Sequence, residues 1–170
     1  MKTVILKWNP AFSSYSMLHY LNDLYMLRED GISDYNWSVW NWNKIHEGDR
    51  FFWLKVGMYG QTGIVASGTI TSEPYKDKDW SGKGRETYYV DFLPNVLLNP
   101  DVLPILTCAE LEKTIPDFEW AKGHSGLVLS DEQAQKLEDA WTAFLAKNDA
   151  ILLDALNKNN QEDLIYMDRK

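Results

Sequence analysis

Residues 50–71 have the sequence RFFWLKVGMYGQTGIVASGTIT. The first part, residues 50–56, is a largely apolar run that follows the turn signal Glu47-Gly48-Asp49. The last part, residues 63–71, is rich in Ile, Val and Thr, which favour strands. The glycine-rich segment between them is typical of a hairpin connection. The stretch therefore predicts two antiparallel strands, and this pair decides the fold class.

The segments on either side of this hairpin predict a mixed plan. Strands are expected at 3–8 and 87–92, with an extension of the sheet at 95–98. A helix is expected from a cap at Ser13 or Ser14 to about Glu29, and Ser130 with Gln133 forms a capping box for a second helix through 146. Short strands joined by Gly-rich loops favour a small, partly closed barrel over a doubly wound sheet.

We therefore predict an α+β domain with a small curved β-barrel flanked by helices. It spans residues 1–147, and residues 148–170 form a C-terminal helical extension that ends in a polar, frayed tail from about Asn157.

Composition excludes several classes of function. The net charge of −8 argues against tight, non-specific binding to duplex phosphates. Cys108 is the one cysteine, so no internal disulfide can form, and no Cys or His pattern has metal-ligand spacing. No nucleophile elbow, zinc-protease helix or dinucleotide fingerprint is present. We expect no catalytic residues, no metal and no cofactor, and hence a binding module that is not an enzyme.

The sequence also predicts a cytoplasmic protein that does not contact a membrane. The apolar run at residues 3–6 is too short for a signal peptide, and no stretch approaches the roughly 18 apolar residues of a membrane span.

The most unusual local feature is the aromatic cluster at residues 37–42, WSVWNW. In an extended strand Trp37 and Asn41 share one face, and Ser38 shares the other with Trp40. An exposed ring could stack on a base, which contributes about 1–3 kcal/mol, while a Ser or Asn could bind the base edge. The alternative is that both faces pack into a core.

Two loops are further candidates for the rim of a binding site. Residues 57–63 contain three glycines beside Tyr59, and residues 120–126 combine Trp120 with Lys122, His124 and small residues. Glycine permits close approach of the backbone to a ligand. A plain hairpin turn and a plain loop are the alternatives.

Several segments occur in an order that resembles the EVE-like branch of the PUA superfamily, over roughly residues 3–145. The segments are Trp8-Asn9-Pro10, Trp37-Ser38-Val39 with Asn41, Gly48-Asp49-Arg50-Phe51-Phe52-Trp53-Leu54-Lys55, Gly57, Gly63-Ile64-Val65-Ala66-Ser67-Gly68, Tyr89-Val90-Asp91-Phe92, Pro104-Ile105-Leu106, Trp120, and Ser125-Gly126 before a helix with Leu137-Glu138 and Trp141.

The resemblance implies a PUA-like barrel that receives a flipped-out, chemically modified base in an aromatic pocket. Such domains are related to YTH readers of methylated RNA and to the recognition domains of modification-dependent restriction endonucleases. The implied ligand is modified DNA or RNA, with a modified cytosine in DNA placed first. The base-binding candidates are Trp8, Trp37 and Trp53 as stacking walls, Ser38 and Asn41 as edge-reading groups, and Tyr59 and Trp120 at the rim.

This chain departs from the resemblance in two respects. Trp40 stands where a small residue is expected, and it could narrow or fill the pocket. No nuclease or ATPase domain accompanies the segments, so a separately encoded nuclease or other effector is a candidate partner. Two alternatives to a DNA reader stay open: binding of modified or structured RNA, and a small-molecule or protein-interaction module that has lost nucleic-acid binding.

Overall fold

The computed structural model describes residues 1–31, 35–158 and 164–168. The strands are β1 (Thr3–Trp8), β2 (Asn36–Ser38), β3 (Arg50–Lys55), β4 (Gly63–Ile70), β5 (Tyr75–Lys78), β6 (Glu86–Leu98), β7 (Leu106–Thr107), β8 (Leu127–Val128) and β9 (Ile165–Met167). The helices are α1 (Met17–Asp30), α2 (Cys108–Thr114), α3 (Asp131–Lys147) and α4 (Asp149–Lys158), with a 3₁₀ turn at Trp42–Lys44.

One curled, mixed sheet carries the fold. Its strands are ordered β2-β6-β4-β3-β1-β8, while β5 and β9 pair with β6 and β7 pairs with β4. Register shifts at Trp53/Leu54 and at Ser67/Gly68 bend the central strands, as β-bulges do. The sheet forms a half-barrel flanked by helices, so the predicted α+β fold class with a small curved barrel is confirmed.

The hairpin at residues 50–71 pairs as predicted. β3 and β4 are antiparallel, with Arg50 opposite Thr69 and Lys55 opposite Gly63. β1 lies on the other side of β3 and is parallel to it. Parallel strands need a crossover connection, and α1 lies within the segment that supplies it.

Three elements differ from their predicted form. α1 is capped by Ser16, whereas the hydroxyl of Ser13 accepts a hydrogen bond from the backbone N–H of Tyr15, before the helix begins. β6 continues through Pro94, which lies opposite Gly68 beside the bulge. Proline has no backbone N–H, but the regular pattern of hydrogen bonds between the strands is already interrupted at the bulge. Ile165–Met167, expected in a frayed tail, adds β9 to the edge of β6.

The core lies between the sheet and the helices. All six residues of β1 are buried, and so are residues 51–55 of β3. The predicted capping box of α3 is present, because Ser130 and Gln133 exchange side-chain and backbone hydrogen bonds. No helix in the described part of the chain is long and apolar enough to cross a membrane.

A glycine at the junction of β1, β8 and the segment after β2 offers a test of this packing. Gly126 has φ +80°, and a Cβ there would lie 2.3 Å from the Cα of Val39. Gly82 has a similar φ of +74° but meets no atom within 4 Å. We expect Gly82→Ala to lower the free energy of unfolding by about 1 kcal/mol through backbone strain alone.

Gly126→Ala should cost about 1–3 kcal/mol more than Gly82→Ala, because the clash with Val39 adds overpacking to the same strain. Denaturant unfolding of the two variants measures the difference. Equal losses of stability would show that the segment around Val39 can move to accept the methyl group.

Candidate ligand-binding site

An aromatic cluster centred on Trp53 supports the site from below. The Trp53 side chain is fully buried. Six rings lie with their centroids 5.2–5.8 Å from that of Trp53, and they belong to Trp8, Tyr15, Tyr20, Tyr35, Trp37 and Phe92. Most of these contacts are tilted or edge-on, which aromatic quadrupoles favour. The cluster therefore packs beneath the aromatic residues that line the cavity described next.

A cavity of about 420 Å³ opens above this cluster. Its aromatic lining residues are Trp8, Phe12, Tyr15, Trp37, Trp80 and Tyr89. Its other lining residues are Lys7, Asn9, Ser13, Ser14, Asn36, Ser38 and Ser125. Ligand pockets typically combine apolar walls with a few polar groups that fix orientation, and this cavity has that composition.

Two rings form a corner of the cavity. Tyr15 and Trp37 contact each other edge-on, at an interplanar angle of 86° and a centroid distance of 5.6 Å. The phenol of Tyr15 donates a hydrogen bond of 2.6 Å to Asp23, and burial raises the pKa of that phenol well above its usual range. Tyr15 is therefore a neutral, fixed wall at physiological pH.

Lys7 holds the opposite parts of the cavity together. Its carbonyl oxygen accepts a hydrogen bond of 2.9 Å from the Trp37 indole N–H, and its backbone N–H donates one of 2.9 Å to the Ser125 hydroxyl. Its ammonium group donates to the carbonyl oxygens of Glu119 and Lys122. Burial lowers the pKa of Lys7, and the nearby charge of Glu119 opposes that shift.

Polar groups remain available for a ligand. Within the described residues, no hydrogen bond involves the hydroxyl of Ser14 or of Ser38. Ser38 lies opposite Tyr89 in the β2–β6 pair, so both side chains project from the same face of the sheet. The cavity can thus offer a hydroxyl beside an aromatic ring.

Four of the predicted base-binding residues belong to this region. Trp37 and Ser38 line the cavity. Trp8 lines it too, but only 1% of Trp8 is exposed, and its ring is stacked on Tyr20 at 5.0 Å. Trp53 lies beneath the lining and supports Trp37 from below, at a centroid distance of 5.2 Å.

The other three candidates lie away from the cavity. The Asn41 side-chain oxygen accepts a hydrogen bond from Val128, because β2 ends at Ser38 and its alternation does not extend to Asn41. Tyr59 lines a separate depression with Met58 and Lys55. The Trp120 ring is 1% exposed, and its indole donates to the carbonyl oxygen of Ile115.

Trp40 does not fill the cavity. Its side chain is 59% exposed and lies flat on the ring of His124, with centroids 3.7 Å apart. It is absent from the cavity lining. The narrowing that the sequence suggested for this position is therefore not seen.

Sequence reasoning missed two exposed rings at the mouth of the cavity. Phe12 is 82% exposed and Trp80 is 73% exposed. One signal for Trp80 was present, since it is the large apolar residue of an otherwise polar, charged loop. Phe12 carries no periodic signal, because residues 9–16 form an irregular connection.

The described residues contain no group of three or more His, Cys, Asp or Glu side chains that could hold a metal ion. Cys108 is buried at the start of α2, and burial raises the pKa of its thiol. Desolvation of the thiolate is the largest cause of this rise.

Three solved structures of low sequence identity are similar to this chain. An NMR structure from Rhodopseudomonas palustris has a TM-score of 0.50 and 19% identity, covering 79% of this chain and 89% of that one. A crystal structure from Pseudomonas putida has a TM-score of 0.52 and 14% identity, covering 81% and 98%. The Mmi1 YTH domain, solved in complex with RNA, has a TM-score of 0.48 and 8% identity, covering 86% and 81%. No protein-family model and no curated protein matches the sequence.

The buried amine of Lys7 has a counterpart that makes a matched test. Lys55 is also buried, and its ammonium group donates to the carbonyl oxygens of Tyr59 and Gln61. We expect Lys7→Met and Lys55→Met each to lower the free energy of unfolding by about 1.5–3 kcal/mol, the usual value of hydrogen bonds to charged groups. Denaturant unfolding checks this.

The two variants should differ in which segment they loosen. Amide hydrogen exchange should accelerate at residues 119–126 in Lys7→Met and at residues 57–62 in Lys55→Met. Unchanged exchange at 119–126 in Lys7→Met would contradict the role of its ammonium group in holding that loop.

Proposed function

We propose that this domain binds a modified nucleobase in the cavity beside Trp37 and catalyses no reaction. The observation that carries the proposal is the corner of Tyr15 and Trp37, in a cavity that also has the unengaged hydroxyl of Ser38 and the exposed rings of Phe12 and Trp80 in its lining. A planar ring with a polar edge is the ligand that such a site fits best. An effector such as a separately encoded nuclease would supply any biological output.

Stacking is the main energetic argument. A base that leaves its helix loses its stacked neighbours and needs a replacement surface. The Trp37 ring is only partly buried, and its indole N–H is fixed by Lys7, so the ring has a set orientation before a ligand arrives. Such preorganisation reduces the entropy lost on binding. The exposed Phe12 and Trp80 rings can add contacts at the mouth.

The charge of the loop that carries Trp80 supports a nucleic-acid ligand. The segment 76–85, which carries Trp80, has four cationic and two acidic residues, although the whole chain has a net charge of −8. Lys83 and Arg85 of this segment are exposed and can contact phosphates, whereas Lys76 lies over the Tyr88 ring, outside the cavity lining. The acidic remainder of the chain disfavours general binding to duplexes. Because the sequence resembles recognition domains of restriction enzymes, we propose a modified cytosine in DNA as the first candidate ligand and modified RNA as the second.

The test is a titration with single-stranded oligonucleotides that carry 5-methyl-, 5-hydroxymethyl- or N4-methylcytosine or N6-methyladenine, each against its unmodified form. Trp37→Ala should weaken binding of the preferred modified strand by about 1–3 kcal/mol, the usual contribution of one base–aromatic stack. Trp42→Ala is the matched control, because Trp42 is an exposed, stacked tryptophan outside the cavity lining.

Each alternative has its own outcome in this titration. Tighter binding of RNA than of DNA with the same base would favour the RNA ligand. Equal affinity of wild type and Trp37→Ala would remove Trp37 from the site. A wild-type protein that prefers no modified strand would leave the small-molecule or protein-interaction module as the better function.

A further inference from the structure

A second aromatic surface lies next to the cavity. Trp40 and His124 are stacked almost parallel, with an interplanar angle of 4° and centroids 3.7 Å apart. Trp40 remains 59% exposed despite this contact, and His124 is exposed as well. An exposed tryptophan contributes little to the core, so the stability of the fold does not account for this arrangement.

Backbone contacts place this ring pair beside the cavity. The backbone N–H of Trp40 donates a hydrogen bond of 2.9 Å to the carbonyl oxygen of Ser125. Ser125 lines the cavity and follows His124 directly, and Ser38, which also lines the cavity, precedes Trp40 by two residues. Each ring of the pair is thus one or two residues away from a residue of the lining.

The position of the pair is also fixed. The loop before His124 is held by the Lys7 ammonium group, which binds the carbonyl oxygens of Glu119 and Lys122. The adjoining backbone is held by Asn41, whose N–H donates to Gly126 and whose side chain accepts from Val128. The surface is therefore preorganised, and the exposed Lys122 on the same loop offers a cation near it.

We propose that the Trp40–His124 pair is a stacking platform for the nucleotide next to the base held in the cavity. This inference rests on the proposed function and deepens it, since it requires a strand rather than an isolated base. Every base has a flat π-face, so an aromatic platform accepts neighbours of any sequence. The cavity would then select the modified base, and the platform would strengthen binding of the strand that carries it.

A second exposed stack provides the control. Trp42 lies on Tyr88 with centroids 4.0 Å apart and an interplanar angle of 12°, and Trp42 is 42% exposed. Tyr88 and Tyr89 are consecutive in β6, so their side chains project from opposite faces. Tyr89 lines the cavity, whereas neither Trp42 nor Tyr88 does, so this stack lies outside the lining.

The experiment compares wild type, Trp37→Ala, Trp40→Ala, Trp40→Phe and Trp42→Ala. The probes are the four modified bases named above, each as a free nucleoside and within a seven-nucleotide single strand. Trp40→Ala should weaken binding of the preferred strand by about 5- to 150-fold and leave binding of its nucleoside unchanged. Trp40→Phe should restore much of the loss, and Trp42→Ala should leave both probes unchanged.

The outcomes separate the two proposals. If Trp37→Ala weakens binding of both probes while Trp40→Ala matches wild type on the strand, the platform is wrong and the cavity stands. An equal loss for nucleoside and strand in Trp40→Ala also overturns the platform, because it would show an effect through the cavity. A wild type that binds none of the probes overturns the cavity proposal and the platform with it.

Discussion

The free edge of β1 is the constraint on which the site depends. β8 pairs with β1 only at Val4 and Ile5, so no strand of the described residues lies beside the edge of β1 beyond Ile5. The backbone groups of Lys7 on that edge still need partners, because buried N–H and C=O groups are costly when unpaired. They find side chains instead of a strand: the Ser125 hydroxyl accepts from the N–H, and the Trp37 indole donates to the carbonyl. The cavity lies along this gap in the sheet, with Lys7, Trp37 and Ser125 in its lining.

The Lys7 side chain links β1 to the surface loop that contains Glu119 and Lys122. Burial of an ammonium group is unfavourable unless hydrogen bonds compensate for the lost water, and this cost appears as a lowered pKa. The carbonyl oxygens of Glu119 and Lys122 supply that compensation, and the ring of Phe118 lies 5.2 Å from the amine. The loop that leads to Ser125 is consequently attached to β1 through Lys7, in addition to the buried ring of Trp120. A single position in β1 thus sets the cavity wall through its backbone and the neighbouring loop through its side chain.

The sequence predicted what depends on local pattern. The β3–β4 hairpin and the capping box of Ser130 follow from residues close together in the chain, and both are present. Asn41 was misplaced because alternation was extended beyond Ser38, where β2 ends. The role of Lys7 had no local signal, since its partner Ser125 is 118 positions away. Trp80 lies in a loop, where no periodicity distinguishes a ring at a cavity mouth from one on an ordinary surface.

The tryptophans show how one residue type serves two purposes here. Four of the eight, Trp8, Trp53, Trp120 and Trp141, are at most 2% exposed, and burial of their large apolar surface accounts for them. Trp40, Trp42 and Trp80 are 42–73% exposed, so folding gains little from them and exposed rings favour self-association. The net charge of −8 keeps molecules apart by repulsion and so offsets that tendency. The same charge repels phosphates over most of the surface. Under the proposed function, a nucleic-acid ligand binds only where stacking on exposed rings and contacts with local cations together outweigh that repulsion, which would confine binding to the neighbourhood of the cavity.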